Sequence, residues 1–457
     1  MAEPALAPKD VVRAGLCIGC GACGPGKGAL VWDEIGFLKP SGKWAEKASA
    51  GFSRICPFSP EARNEDEIAA ERFPLPAERD ALIGSFESAY VGHVAEGDVR
   101  AQGSSGGMVS WVAAELLRRG LADGVAHVAP ADPQADGRFF GYRISRTVEE
   151  IGQGAKSRYY PVELSGVLAE IRTTPGRYAV VGVPCFIKAV NLLRAREPLL
   201  KERIAYTLGL FCGHMKSARM VDSFAWQLGA PMDQVRAVEY RRKDPGRPAN
   251  WYTAHLTLAD GSARWQDWWH LVDGDWGAGF FQNSPCNYCD DVVAETADIA
   301  FGDAWVEPYS SDGRGTNVVI VRAPELQGIV GEAVAAERLA LKPVDAAFIA
   351  ETQAAGFRQR REGLAYRLRI GPPRLPLRKR VAPGGYELTL RRKLVYRSRK
   401  WISALSHRLA RASRRSGWHA LYLKWAKAAL RTYEGFAYLR GPVGKLMQRI
   451  EGPQRQP

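Results

Sequence analysis

Four cysteines near the amino terminus have the spacing of metal ligands. Cys17, Cys20 and Cys23 are separated by two residues each, and Cys56 stands further on, directly before Pro57. On a tight, glycine-rich turn the three close cysteines face different ways, so they cannot all be core side chains, but they can converge on one cluster. A zinc knuckle or a set of disulfides is the alternative, but the CxxCxxC order with a later Cys-Pro favours iron and sulfur. We therefore predict a 4Fe–4S cluster on these four thiolates.

The other four cysteines form a second candidate set. Cys185 and Cys212 each follow a short apolar run that is typical of a buried parallel strand, and ligands bind at the carboxyl ends of such strands. Cys286 and Cys289 have the CxxC spacing of a zinc site or a redox dithiol. Small buried side chains are the competing interpretation of Cys185 and Cys212. Because four cysteines remain outside the first set, a second four-thiolate site is the economical interpretation.

A serine- and glycine-rich segment could bind a phosphate. Ser104, Ser105, Gly106 and Gly107 precede apolar residues at helical spacing that begin with Met108. Free backbone amides at the start of a helix attract anions, and Ser104 or Ser105 is the expected N-cap. A plain capped helix without a ligand is the competing interpretation.

The elements that must position these residues alternate between strands and helices, which predicts a mixed α/β fold. Residues 1–75 are expected to form a ferredoxin-like iron–sulfur module. Residues 76–355 are expected to form an α/β core, with a tryptophan-rich β insertion at 238–281. The composition then changes to a basic, helical extension over 356–457.

The charge of the chain is concentrated in that extension. Of the 63 Lys and Arg and 49 Asp and Glu in the 457 residues, 26 basic and only 4 acidic ones lie in 358–457. Aromatic and aliphatic residues alternate with the basic ones, a pattern that favours an anionic membrane surface. A protein partner or a plain helical extension is the main alternative, and nucleic acid is disfavoured. With no secretory signal and no apolar run long enough to span a bilayer, the expected location is the cytoplasm, peripheral to the membrane.

Taken together, the motifs resemble the coenzyme F420 hydrogenase/dehydrogenase beta-subunit family, which includes the formate dehydrogenase beta subunit and the plant 7-hydroxymethyl chlorophyll a reductase. The resemblance covers roughly residues 12–325 and not the basic extension. It is carried by CIGCGAC, SSGGMVS, KSRYYP, VGVPC, LFCGH, CNYC and DIAFGDAW. It implies an oxidoreductase that uses FAD and 4Fe–4S clusters to connect a one-electron carrier with a two-electron acceptor.

The resemblance also implies roles for individual residues. Ser104, Ser105, Gly106 and Gly107 match the loop that binds the flavin phosphates. A second segment matches one that lies near the flavin, and it consists of Lys156, Ser157, Arg158 and Tyr159. The chain departs from the family in lacking a second complete CxxCxxCxxxCP run, so any second cluster must use the scattered cysteines.

The predicted function is electron transfer from ferredoxin or a partner dehydrogenase subunit, through 4Fe–4S and FAD, to a small-molecule acceptor such as coenzyme F420. His214 is the candidate proton donor, with a hydrogen-bonded structural histidine as the alternative. A non-catalytic electron-transfer subunit, or an accessory protein of envelope-polysaccharide biosynthesis, is the competing function.

Overall fold

An eight-stranded mixed sheet forms the centre of the fold. The computed structural model describes residues 5–451. The strands are β1 (Leu30–Trp32), β2 (Leu38–Pro40), β3 (Glu78–Asp80), β4 (Gly84–Phe86), β5 (Ser88–Val94), β6 (Gly124–Pro130), β7 (Phe140–Ser145), β8 (Tyr178–Gly182), β9 (Ile204–Leu210), β10 (Val235–Arg242), β11 (Thr253–Leu258), β12 (Ala263–Asp267), β13 (Ile299–Asp303), β14 (Asn317–Val321) and β15 (Leu339–Pro343). The order in the sheet is β15-β5-β14-β13-β9-β8-β6-β7.

The middle of this sheet is parallel. Strands β6, β8, β9 and β13 run in one direction, and the pairs β13–β14, β14–β5, β15–β5 and β6–β7 are antiparallel. Every residue of β8 is buried, as the apolar run Tyr-Ala-Val-Val-Gly predicts for a strand covered on both faces. The predicted mixed α/β fold is confirmed.

Helices cover both faces of the sheet. The α-helices are α1 (Pro8–Arg13), α2 (Ala50–Ile55), α3 (Glu65–Arg72), α4 (Val99–Gln102), α5 (Met108–Arg118), α6 (Pro133–Asp136), α7 (Val148–Gln153), α8 (Ser165–Thr173), α9 (Pro184–Arg194), α10 (Pro198–Arg203), α11 (Arg219–Leu228), α12 (Pro324–Ala335), α13 (Ala346–Thr352), α14 (Ala354–Arg360), α15 (Glu362–Ile370), α16 (Leu390–Ser416), α17 (His419–Tyr438) and α18 (Gly441–Glu451). Buried residues of α5 and α12 share one core with one face, and those of α8, α9 and α11 share the other.

Three smaller β structures accompany the sheet, one of which is the antiparallel pair of β3 and β4. Near the amino terminus β1 and β2 pair as an antiparallel hairpin, with α1, α2 and α3 around it. A ferredoxin-like topology for this segment stays a prediction. In the tryptophan-rich region, β10, β11 and β12 form a separate antiparallel sheet.

The C-terminal helices pack on the body of the protein instead of standing apart from it. Ile402 of α16 and Tyr422 of α17 belong to the main core, and Ser403 Oγ donates to the Gln282 carbonyl at 3.0 Å. Much of the apolar side that the sequence assigned to a membrane surface is therefore covered by protein. Trp401 and Trp418 remain more than half exposed, at 53% and 59%. None of the helices in residues 5–451 is both long and apolar enough to cross a bilayer.

Candidate redox site

The first cysteine set converges on one cavity. Cys17, Cys20 and Cys23 lie on the loop after α1, and Cys56 directly follows α2; all four line the same cavity. Burial raises the pKa of Cys20 to about 12, and the neighbouring Cys17 charge adds to this effect. Burial likewise raises the pKa of Cys23, reinforced by the charges of Cys20, Cys17 and Cys56. Such thiols ionise only when a cation compensates them, so the set fits a metal cluster.

Two glycines allow the loop to turn this tightly. Gly19 and Gly21 have φ of +79° and +77°, in the left-handed region. A Cβ on Gly19 would lie 2.5 Å from the Leu38 carbonyl oxygen, and one on Gly21 would lie 2.6 Å from Oε2 of Glu163. The loop is thus held between the β1–β2 hairpin and the segment before α8, where only glycine fits.

The second cysteine set also comes together. Cys185 lies in the first turn of α9 directly after β8, and Cys212 follows β9, its parallel neighbour, so both stand at carboxyl ends of strands as expected. Cys286 lies in a 3₁₀ turn, and Cys289 directly follows that turn. The Met215 amide donates to Cys286 Sγ at 3.4 Å. Burial raises the pKa of Cys185 well above its usual range, and the charges of Cys289, Cys212 and Cys286 raise it further.

The described residues contain no ready-made site for a single metal ion. Within residues 5–451, no three His, Cys, Asp or Glu side chains are grouped so that they could hold one metal ion. A zinc site requires four ligands around one ion, whereas in a 4Fe–4S cluster each thiolate binds a different iron. The observation that favours a cluster at the first set is the CxxCxxC order with a later Cys-Pro.

The two cysteine sets are neighbours. Cys20 contributes to the raised pKa of Cys185, so charges in the two sets act on each other. Burial raises the pKa of Tyr142, and Cys185 and Cys20 both add to the effect, which places this tyrosine beside both sets. Its ring is stacked on Phe186 with centroids 6.2 Å apart.

Three buried cations surround the second set without a carboxylate partner. In the described part of the chain, Lys216, Arg360 and Arg399 are each at most 9% exposed, and none of them forms an ion pair with Asp or Glu. The Lys216 ammonium donates to the Phe280 carbonyl at 2.6 Å and lies 4.7 Å from the centroid of the Trp276 ring. Asp273 and Asp275 act on the charge of Lys216, and Asp275 on that of Arg399, without forming an ion pair, whereas the groups that act on Arg360 are cysteines. Because buried positive charge is costly unless negative groups compensate it, these surroundings fit an anionic cofactor.

His214 is held as a neutral side chain. Its Nδ1 accepts a hydrogen bond from the Arg399 guanidinium at 3.1 Å, because a guanidinium can only donate. The proton must then be on Nε2, which is buried and has no hydrogen-bond partner among residues 5–451. Burial lowers the pKa of His214 well below its usual range, and the charges of Lys216 and Arg399 lower it further. Its imidazole is stacked on Trp276 with centroids 4.5 Å apart.

The serine- and glycine-rich loop is built differently from the sequence prediction. The N-cap of α5 is Gly107, with φ of +86°, so the expectation that Ser104 or Ser105 caps the helix is wrong. Those hydroxyls bond elsewhere: Ser104 Oγ accepts from the Ser157 amide at 2.6 Å, and Ser105 Oγ donates to the Thr316 carbonyl at 3.0 Å. A Cβ on Gly106 would lie 2.7 Å from Oδ1 of Asn317, so close packing requires glycine there.

The segment Lys156 to Tyr159 joins this loop to the second cysteine set. Lys156 pairs with Glu239 at 3.3 Å, and the Arg158 guanidinium lies 4.9 Å from the centroid of the Phe140 ring. Tyr159 packs against Trp276 with centroids 4.6 Å apart, and Trp276 in turn stacks on His214. The two segments expected near a flavin therefore contact each other, by way of Ser104 and Ser157, and reach the histidine.

Several residues of this site were missed by sequence reasoning. Lys243 Nζ donates to the carbonyls of Arg100, Ser105 and Arg314 at 2.6, 3.0 and 2.7 Å, and so fixes the loop before α5. Burial lowers its pKa to about 8, helped by the charge of Lys156. Nothing in the local sequence marks this lysine, because its three partners are distant in the chain. The tryptophan-rich pattern includes Trp276 but predicts no contact for its side chain.

The fold and these segments define a known class of redox protein. The chain belongs to the coenzyme F420 hydrogenase/dehydrogenase beta-subunit family: its N-terminal model matches residues 89–169 and its C-terminal model matches 176–347. Both matched segments lie after the first cysteine set and before the C-terminal helices. Membership supports a role in oxidoreduction.

A solved structure has the same fold over most of this region. It is a chain from the F420-reducing NiFe hydrogenase complex of Methanosarcina barkeri, with a TM-score of 0.50 and 17% identity. The alignment covers 66% of this chain and 99% of that one. No curated protein matches the sequence.

Proposed function

We propose that the protein is an iron–sulfur flavoprotein that carries electrons from a one-electron carrier protein to a small-molecule acceptor of two electrons. It would hold two 4Fe–4S clusters and FAD. The observation that carries this proposal is the convergence of two four-cysteine sets beside each other, the second next to His214, Trp276 and Tyr159. Clusters supply one-electron transfer and a flavin couples it to two-electron chemistry.

In this proposal the cysteines bind the two clusters. Cys17, Cys20, Cys23 and Cys56 hold the first, and Pro25, Lys27 and Gly28 on the same loop are exposed, so a carrier protein can approach there. Cys185, Cys212, Cys286 and Cys289 hold the second, which lies near Arg399 of the C-terminal helices. Tyr142 and Phe186 pack beside the sets and help to exclude water.

The flavin would lie along the segments that contact each other. Ser104, Ser105, Gly106 and Gly107 would bind its phosphates, together with the cation of Lys156. Ser157 holds Ser104, Arg158 adds positive charge, and Tyr159 with Trp276 offers aromatic surface. The Nε2–H of His214 has no acceptor among residues 5–451, so it can orient a bound group or donate a hydrogen bond to it.

Ferredoxin or a partner dehydrogenase subunit is the proposed source of electrons. The similar solved chain comes from a multi-subunit complex, which also supports a second candidate function, an electron-transfer subunit without a substrate of its own. Family membership favours either of these redox functions over an accessory role in polysaccharide biosynthesis. The C-terminal helices carry many basic residues. We therefore also propose that the protein is cytoplasmic and associates peripherally with an anionic membrane.

Quantification of iron, acid-labile sulfide and FAD after anaerobic purification tests the proposal. We expect about eight irons and one FAD per chain. Cys17→Ser and Cys286→Ser should each remove about half of the iron, from different clusters. About four irons in the wild-type protein would contradict the second cluster, and a colourless protein would contradict the whole proposal.

To separate the two redox functions, the dithionite-reduced protein is mixed with candidate small-molecule acceptors, including coenzyme F420. Reoxidation of the flavin by a small molecule alone supports an enzyme with its own substrate. Reoxidation only after a partner protein is added supports the subunit function.

A further inference from the structure

The two cysteine sets differ in the charges that surround them. Lys188 is the cation that acts on Cys56 of the first set, and it is already paired with Glu65 at 3.1 Å, both side chains being buried. Lys39, which donates to the Cys17 carbonyl at 2.5 Å, is a further cation at the first set but is only partly buried.

At the second set, Lys379 likewise pairs with Asp290 at 2.9 Å, but Arg360 and Arg399 form no ion pair with a carboxylate in the described part of the chain. The second set thus differs from the first by two buried arginines that form no ion pair.

Arg360 interacts with three cysteines of the second set. It ends α14, is 2% exposed, and interacts with Cys289 directly and with Cys212 and Cys286 through its charge. Its Nε has no hydrogen-bond partner among residues 5–451. The partner of this buried guanidinium is a thiol, where a carboxylate would be usual. The negative charge that compensates it would therefore come from the thiolates that bind the cluster.

Arg399 adds a second positive charge from α16. Its guanidinium donates to His214 Nδ1 and to Gln282 Oε1, both at 3.1 Å, and to the Gly277 carbonyl at 2.8 Å. All of these acceptors are neutral. Its charge acts on Cys286, and Asp275 also acts on it without forming an ion pair.

Positive charge beside a cluster favours its reduced state. Reduction adds one negative charge to the cluster, and in a site of low dielectric a nearby cation stabilises that charge strongly. Both arginines come from the C-terminal extension, after the segment that the family models match, which ends at residue 347.

We propose that Arg360 and Arg399 raise the reduction potential of the cluster at Cys185, Cys212, Cys286 and Cys289 above that of the cluster at the first set. This inference rests on the proposed function. With both clusters bound, an electron delivered by a one-electron iron–sulfur carrier to the first cluster would pass to the second. The first cluster would be oxidised by one electron and the second reduced by one, with no proton transferred. The C-terminal extension thus sets the direction in which electrons move.

Redox titration of the full-length protein, followed by electron paramagnetic resonance, tests the proposal. The Cys17→Ser variant, which lacks the first cluster, assigns the signals to the two clusters. In Arg360→Gln we expect the midpoint potential of the second cluster to become more negative, so that the ratio of reduced to oxidised cluster at the wild-type midpoint falls about tenfold. The first cluster should keep its potential. Arg399→Gln should act in the same direction, and Arg360→Lys, which keeps the charge, should stay close to wild type.

Arg322 provides a matched control. It is buried to the same extent as Arg360, but the groups that act on its charge are Glu295, Asp291 and Asp298 and not cysteines. Arg322→Gln should leave the potential of the second cluster in place. Equal shifts in Arg322→Gln and Arg360→Gln, or no shift in Arg360→Gln, would overturn the proposal.

Two further outcomes are also decisive. If Arg360→Gln loses half of its iron while Arg360→Lys keeps all of it at the wild-type potential, positive charge at this position is required and the proposal is supported. If both variants lose half of the iron, the role of Arg360 is steric and the proposal fails. Iron content of the wild-type protein near four per chain would instead contradict the second cluster of the proposed function, on which this inference rests.

Discussion

Arg399 donates a hydrogen bond to Nδ1 of His214 at 3.1 Å, and this bond fixes which nitrogen of the histidine carries the proton. A residue of the C-terminal helices thereby sets the chemical state of a side chain that follows a strand of the central sheet. His214 presents the N–H of a neutral imidazole. A histidine that acts as a general acid with its ordinary pKa would instead be an imidazolium.

Replacement of His214 should therefore cost a hydrogen bond without introducing a new dependence on pH. In His214→Ala we expect turnover with an artificial dye acceptor to fall about tenfold, the value of one hydrogen bond. His214→Gln should recover part of the loss. Because burial holds the pKa of His214 well below 6.5, the rate should not change with its protonation between about pH 6 and 8. His407, another buried histidine, bonds the Gln282 carbonyl and serves as the control through His407→Gln. Unchanged turnover in His214→Ala would remove the residue from the mechanism.

Loss of Lys243 should loosen the proposed flavin-phosphate loop. In Lys243→Met we expect the affinity for FAD, measured by fluorescence titration, to fall about tenfold, since three bonds to loop carbonyls are lost. In the wild-type protein the affinity should also decrease from about pH 7 to 9, because the ammonium loses its proton near a pKa of about 8. That decrease should be smaller in the variant. Lys342→Met, at an exposed position of β15, is the control. Equal affinities in both variants would contradict the role given to Lys243.

Substitution of Gly21 should selectively disrupt the first cysteine set. A Cβ at Gly21 would lie 2.6 Å from Glu163 Oε2 and 3.0 Å from the Leu164 amide nitrogen. Gly21→Ala should therefore lose about half of the iron, with the signal of the second cluster intact. Gly28 also has a positive φ, +83°, but a Cβ there meets nothing within 4 Å. Gly28→Ala carries the same backbone strain without the clash. We therefore expect Gly28→Ala, but not Gly21→Ala, to keep all of its iron.

Removal of the Glu115 carboxylate should destabilise the fold, and the loss of stability should depend on pH. Two nitrogens of Arg338 donate to its oxygens at 3.0 and 2.8 Å, and these bonds lower the pKa of Glu115 from 4.5 to about 2. Because the pKa of this carboxyl is lower in the folded protein than in the unfolded chain, the ionised carboxylate stabilises the fold. This contribution is complete above about pH 5 and is lost as the pH falls towards 2. In Glu115→Gln the free energy of unfolding should drop by about 2 kcal/mol at pH 7, and by less near pH 3.

Denaturant titrations at both pH values measure this difference. Glu332→Gln is the control, because Glu332 pairs with Arg119 but its side chain is 66% exposed. A loss in Glu115→Gln that is the same at pH 3 and pH 7 would contradict an electrostatic origin.

The sequence was sufficient to place the thiols but not their environment. Apolar runs predicted β8 and β9, and the rule for parallel sheets then put Cys185 and Cys212 at one edge. The N-cap of α5 was mispredicted because local pattern favours serine, while Asn317, about two hundred residues away, bonds the Met108 amide. Of the many arginines in the C-terminal extension, the pattern of charge alone could not indicate that Arg360 and Arg399 are buried.

The bonds between the first cysteine loop and the segment before Cys286 have a consequence for how the protein matures. Ser284 Oγ donates to the Gly15 carbonyl at 2.6 Å, and Asn283 Nδ2 donates to the Ile18 carbonyl at 3.3 Å. The loop made first by the ribosome thus acquires part of its support only after residue 284 has been synthesised. We expect iron and sulfide to be delivered to a completed chain, so that both metal centres are assembled after translation and not one by one as the polypeptide emerges.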